Sequence, residues 1–191
     1  MKSKLKVLTV VVMMFVMLIS TTMVANAYVI TCAEGFYTRP IVMYAHTNMT
    51  SSHITALNNA INTWNNAGKG TLFVYGGVKA VPFPGVRDGL NGVTLSAMGT
   101  GRPIAVTRIS YDTSGVIYEG NIDVNISYNY IFSPGAANGY DAQTMYTHEL
   151  GHVLGLGESN VAGSVMSQPQ VPNSFLRALT SDDIAGLNAI Y

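Results

Sequence analysis

The apolar positions of this chain change period several times, and each change marks an element. Ile41-Val42-Met43-Tyr44 is a short continuous apolar run and reads as a buried strand. Ser51 or Ser52 can cap the helix that follows, in which Ile54, Leu57, Ile61 and Trp64 recur at helical spacing before Asn66-Ala67-Gly68 ends it. Thr71 to Tyr75, Gly92 to Met98, Ile104 to Ser110 and Asn121 to Ser127 have strand character. The last of them alternates, with Ile122, Val124 and Ile126 on one side and Asn121, Asp123 and Asn125 on the other, which predicts one apolar and one polar face. Tyr111 to Gly115 reads as a turn; Pro82, Pro84 and Gly85 mark one loop, and Pro134, Gly135 and Gly139 another. Asp141 is placed to cap a second helix running to about Leu154. A last helix is expected from Thr180, with Asp183 three residues on as in a capping box, so that Ile184, Leu187 and Tyr191 share a face. Strands precede the second helix and no strong strand signal follows it. The order predicts one α+β domain, with a sheet of about five strands over a helix.

The first residues do not belong to that pattern. Lys2, Lys4 and Lys6 precede an apolar run from Val7 to Ile19, and Ala25-Asn26-Ala27 supplies small residues at a cleavage site. Residues 1–27 are therefore expected to be a signal peptide and 28–191 a single secreted, extracellular domain. The run is short for a membrane span, which needs about 20 residues. Almost nothing separates the leader from the domain, so no folded propeptide is expected.

Removing the leader takes three lysines and leaves seven basic against ten acidic residues, a net charge of −3. No basic run remains to favour nucleic acid or a membrane surface, and the domain is expected to act as a monomer. Cys32 is the only cysteine, which excludes an internal disulfide. It reads as a near-terminal thiol, with lipid attachment or temporary ligation of a metal as less favoured alternatives. The short leader and the lack of disulfides suit a bacterial source.

Candidate chemistry is concentrated in Thr147-His148-Glu149-Leu150-Gly151-His152-Val153-Leu154-Gly155-Leu156-Gly157-Glu158. On a helix, His148 and His152 lie four residues apart on one face, where two imidazoles converge on one metal. Glu149 is turned off that line, free to reach a water on the metal without binding it. Neutral imidazoles suit zinc. The bland alternative is an amphipathic helix with two surface histidines. Gly155 argues against it, because a glycine at positive φ ends the helix and turns the chain back toward the metal. Glu158 then arrives where a third ligand is needed.

These residues resemble the metzincins, whose motif His-Glu-x-x-His-x-x-Gly-x-x-His precedes a methionine turn. Ser164-Val165-Met166-Ser167 is similar to that turn, Leu179 to Leu187 resembles the closing helix of the matrixin branch, and Tyr37 to Tyr75 fits its opening strand, helix and strand. The resemblance implies a twisted mixed sheet, one catalytic Zn2+ and an extended peptide substrate laid along an edge strand, Ile104 to Ser110. It also puts Met166 beneath the metal and implies that Asp183 braces the methionine turn, with Asp182 available to a processed N-terminus. Glu158 departs from the family's usual histidine. As a carboxylate it lowers the net charge of the site, so water there is acidified less. Asp112 and Asp123 are candidates for structural Ca2+, and His46 and His53 read as surface or strand-end residues. Zinc endopeptidase chemistry, with Glu149 as general base and acid, is the leading expectation. A secreted zinc-binding module without turnover, and a zinc amidase acting on a non-protein amide such as a cell-wall crosslink, stand as alternatives.

Overall fold

Strand β1 (Ile41–His46) buries alternate residues, Ile41, Met43 and Ala45, and sits inside a five-stranded sheet rather than at its edge. The computed structural model describes residues 28–82, 87–136 and 138–191. The leader at 1–27, and with it the expected cleavage site, lies outside the described residues, as do Pro84 and Gly85 of one expected loop. After β1 come α1 (Ser51–Asn65), β2 (Phe73–Lys79), β3 (Asn91–Ser96), β4 (Ala105–Tyr111) and β5 (Ile117–Asn125). A two-residue pair, β6 (Tyr130–Ile131) and β7 (Tyr140–Asp141), then leads into α2 (Ala142–Val153), and α3 (Ser181–Ile190) closes the chain. The main sheet runs β2-β1-β3-β5-β4, parallel except for β4, which pairs antiparallel with β5 and forms an edge. This is the α+β architecture with a mixed sheet that the element order predicts.

Helix α1 is capped by Thr50, one residue before the serines expected to do so; its side chain accepts from the His53 amide. Its buried face carries His53, Ala56, Leu57, Ala60, Ile61 and Trp64, while Ile54 is only half-buried. The stripe is thus rotated from the one marked by large apolar residues alone. Two alanines on that face let α1 approach α2 closely. Burying Leu57, Ile61 and Trp64 contributes roughly 1.5–3 kcal/mol each, against about 1 kcal/mol for the cap, so burial decides where α1 lies. The Trp64 indole N–H donates to the Thr147 carbonyl at 2.8 Å, which fixes α1 against α2 one residue before His148.

Strand β5 begins four residues earlier than the alternation indicates and ends at Asn125, leaving Ile126 exposed. Asp112 explains the early start. Its carboxylate accepts from the Ser114 amide and hydroxyl and from the Val116 amide, closing a tight hairpin between β4 and β5. The polar face of β5 is buried as well as the apolar one. Asn121 accepts from the Gly92 amide, Asp123 accepts from the Thr94 hydroxyl, and Asn125 bonds the loop at Met98, Gly99 and Pro103. Among the described residues no buried side-chain nitrogen or oxygen lacks a partner. Asp112 and Asp123, considered for calcium, are engaged in these internal bonds.

His53 differs from expectation most sharply, because it is buried. Its Nδ1 lies 2.9 Å from the Tyr146 hydroxyl, and its ring meets those of Tyr130, Phe132 and Tyr146 edge-on. His46, by contrast, does end β1, its Nδ1 accepting from the Asn48 amide. Burial lowers the pKa of His53, so the folded protein favours the neutral ring. Its contribution to stability is complete above the unfolded value of about 6.5 and is lost as pH falls through that value toward the lower folded one. The unfolding temperature of the metal-free protein should fall by a few degrees between about pH 7 and pH 5 on this account. His53→Gln should be less stable at neutral pH but show a shallower fall, measured by thermal melts across that range; parallel slopes would remove His53 as the cause.

Candidate metal centre

Helix α2 starts where Asp141 caps it, accepting from the amide and hydroxyl of Thr144, and Arg177 holds the same carboxylate through two nitrogens. It ends in paired bonds from Gly155 N–H to the His152 carbonyl and from Leu156 N–H to the Gly151 carbonyl. Gly155 adopts φ 98°, and a side chain there would meet the Cys32 carbonyl at 2.6 Å. Only glycine fits both the angle and the approach. The chain therefore leaves the helix sharply and returns Glu158 to the histidines.

The two imidazoles face each other at Nε2, 3.0 Å apart, with ring planes at 88°. Glu158 Oε1 lies 3.6 Å from His148 Nε2 and 3.4 Å from His152 Nε2. Among the described residues this is the one group of three histidine, cysteine or acidic side chains close enough to share an ion. The backbone sets the tautomers. His148 Nδ1 is 2.8 Å from the Val165 carbonyl, and His152 Nδ1 is 2.8 Å from the Leu156 carbonyl. A carbonyl only accepts, so each Nδ1 carries the proton and each neutral ring turns an Nε2 lone pair inward. Two lone pairs and a carboxylate oxygen converging this closely repel one another unless a cation lies between them. Zinc bonds of about 2.0–2.1 Å in a tetrahedron place neighbouring donors roughly 3.3 Å apart, so the spacing and chemistry of the set fit zinc.

Without a metal, protons on the Nε2 atoms take the cation's part. Burial alone would raise the Glu158 carboxyl, but hydrogen bonding and positive charge from the two imidazoles, when protonated, outweigh it and bring it down to about 2. Burial likewise works to lower His152, while Glu158, the Glu149 charge and the Leu156 carbonyl together leave it raised. His148 is buried and Glu158 is half-exposed, so the group opens to solvent on the Glu158 side.

The floor of the site is built by the turn at Ser164–Ser167 and by α3. Gly151, between the histidines, has no side chain because Met166 occupies the space: a methyl there would collide with the Met166 sulfur. Asp183 receives the Ser164 hydroxyl, the amides of Val165 and Met166, and the amide and hydroxyl of Thr180. It thus closes the α3 capping box and braces the turn together. Ser159, next to Glu158, donates its amide to the Met166 carbonyl and its hydroxyl to Asp182. Cys32 stands apart from the metal group. It is buried, its amide donates to the Gly155 carbonyl, and burial raises its pKa, all properties of a packed thiol.

Every site residue read from the sequence is therefore in this one region: His148, Glu149, His152, Gly155, Glu158, Met166 and Asp183. Two further residues join them. Gln168 reaches Glu158 Oε1 at 3.1 Å and His148 Nε2 at 3.3 Å. Thr107, on β4, donates to Glu149 Oε2 at 2.6 Å. The available signal for Thr107 was its place on the strand face it shares with Ala105 and Ile109, where it is the one polar residue between them. Gln168 had none beyond lying two residues after Met166. A cavity of about 220 Å³ opens beside His148 and Glu149, lined also by Ile104, Tyr128, Tyr140 and Gln168.

A mixed sheet with an antiparallel edge, a helix bearing His148, Glu149 and His152, and a methionine turn beneath them define a metzincin-type domain. The model of the matrixin family matches residues 95–191, and the chain belongs to that family. It is 40% identical over 70 residues to "Matrilysin" of Rattus norvegicus, a stretch that covers 36% of this chain and 26% of that relative. Over 51 residues it is 39% identical to "Metalloendoproteinase 4-MMP" and 41% identical to "Metalloendoproteinase 1-MMP", both of Arabidopsis thaliana. Each of those stretches covers 27% of this chain, and 15% and 14% of the two relatives. The matches thus span about a quarter or less of the relatives' own length.

Asp183→Ala would leave the amides of Val165 and Thr180 and the Ser164 hydroxyl without their acceptor, while the Met166 amide keeps the Ser164 oxygen. Each buried donor so orphaned costs about 1–3 kcal/mol, so denaturant unfolding should show a loss of at least about 3 kcal/mol. Asp183→Asn, which keeps one oxygen, should lose less; equal stability of alanine variant and wild type would show that the brace is not needed.

Proposed function

We propose that this chain is a zinc-dependent endopeptidase that lays an extended peptide along β4 and cleaves it beside Glu149. One observation carries the reading: two inward Nε2 lone pairs and a carboxylate converge at zinc spacing, and a second carboxylate on the same helix stands next to them at the sheet edge. A purely structural site has no use for that second acid.

His148, His152 and Glu158 would hold the ion. When bound, zinc supplies Lewis acidity, which makes water a better nucleophile and offsets charge gathering on the substrate carbonyl. Glu149 takes the proton of the attacking water and passes it to the leaving amine. Strand β4 gives one side of its backbone to β5 and, among the described residues, has no strand on the other, so an extended chain can add to it by main-chain pairing. The cavity beside His148 receives one substrate side chain and gives some selectivity. Glu158, in place of a neutral third ligand, lowers the positive charge of the centre, so the working range shifts to higher pH. The leader-like residues 1–27 support secretion, and no helix among the described residues is long and apolar enough to cross a membrane.

Glu149→Ala should keep its zinc and its unfolding temperature but lose about 10²–10⁴-fold in peptide turnover. Near-normal turnover in that zinc-loaded variant would remove Glu149 from its role.

Glu158 offers an independent check. Glu158→Ala should bind zinc much more weakly in a chelator competition, while Glu158→His should keep the metal and move the acid limb of the pH–rate profile to lower pH. Unchanged zinc affinity in the alanine variant would exclude Glu158 as a ligand.

A further inference from the structure

The Thr107 hydroxyl is 2.6 Å from Glu149 Oε2 and 3.2 Å from the Glu149 backbone carbonyl. It has one proton to give, and the shorter contact to the charged oxygen takes it. Among the described residues no other group donates to this carboxylate. Since no buried side-chain oxygen there lacks a partner, Glu149 Oε1 opens on the cavity that Glu149 lines. One oxygen is therefore tied to β4 and the other is left for chemistry.

The tie is rigid at the Thr107 end. Thr107 pairs with Ile122 in the β4–β5 ladder, and its neighbours on the same strand face are buried Ala105 and the core-packed Ile109. The sheet thus fixes where the hydroxyl sits. Glu149, in contrast, has a flexible side chain whose carboxylate needs an external partner to keep one orientation.

We propose that Thr107 is a positioning residue that holds the Glu149 carboxylate with Oε1 turned to the cleft, and so couples the base to the strand on which substrate pairs. This rests on the peptidase reading above. Because the same strand sets the substrate backbone and the base, their relative placement is fixed within one element rather than across a loop.

Thr107→Val keeps shape and strand preference while removing the hydroxyl. Thr107→Ser restores it. Both variants, wild type and Glu149→Ala are loaded with zinc and assayed on a quenched-fluorescent peptide. Zinc affinity and thermal unfolding are measured alongside, and metal-free wild type and Thr107→Val are crystallised. The valine variant should lose about tenfold or more in kcat with KM within about twofold, the scale expected for a hydrogen bond to a charged group. Its zinc affinity should match the wild type, its unfolding temperature should fall by no more than a few degrees, and the serine variant should recover most of the rate. In metal-free crystals Glu149 should adopt one conformation in wild type and several in Thr107→Val. Wild-type kcat in the valine variant, a serine variant as slow as valine, or a rate loss that follows loss of zinc would overturn the proposal. Should wild type cleave no peptide, the peptidase reading falls by itself. The metal-free conformations of Glu149 then still decide whether Thr107 holds it.

Discussion

Two neutral imidazoles do not bring their lone pairs to 3.0 Å without something positive between them, and here the backbone leaves them no other choice. The Val165 and Leu156 carbonyls each claim an Nδ1 proton, so both Nε2 atoms must point inward as acceptors. Much of the local architecture serves that arrangement. The sharp exit at Gly155 places the Leu156 carbonyl, and the turn braced by Asp183 places the Val165 carbonyl. Trp64 ties α1 to the helix one residue before His148. Repulsion among these converging donors is what a bound cation relieves, which makes affinity for metal a property of the fold rather than of two side chains.

The neighbouring acids divide the work by environment. Glu158 is half-exposed and lies against the imidazole nitrogens, whose charge when protonated keeps it ionised. Glu149 is buried on α2 beside His148, against β4, with its carboxylate bound by one hydroxyl. One residue type thus occupies two settings, a charged member of the donor set and a poised acceptor at the substrate edge. Placing the latter against an edge strand also gives the unpaired backbone of β4 a use, where an uncovered edge is otherwise an aggregation risk.

Much of this was legible in the sequence because it is local. Caps at Asp141 and Thr180, the i, i+4 histidines, the glycine that ends α2 and the methionine turn all act over a few residues, and sequence spacing encodes such distances directly. What was hidden depends on partners far along the chain. His53 looks like a polar helix residue until Tyr130, Phe132 and Tyr146 close around it. The burial of the polar side of β5 was hidden because alternation reports two faces but not that both are covered. The start of β5 was missed because it is set by the Asp112 turn, while Tyr118 and Glu119 break the apolar rhythm. Thr107 and Gln168 reach the site from a strand and a loop that spacing along the α2 motif cannot see.

The most direct test of the central claim is zinc K-edge X-ray absorption on purified protein holding one zinc per chain. Two imidazole nitrogens and light oxygen donors at about 2.0–2.1 Å, with no sulfur, are the predicted shell. A sulfur at about 2.3 Å, or a shell with fewer than two imidazoles, would contradict the claim that His148, His152 and Glu158 form the metal centre.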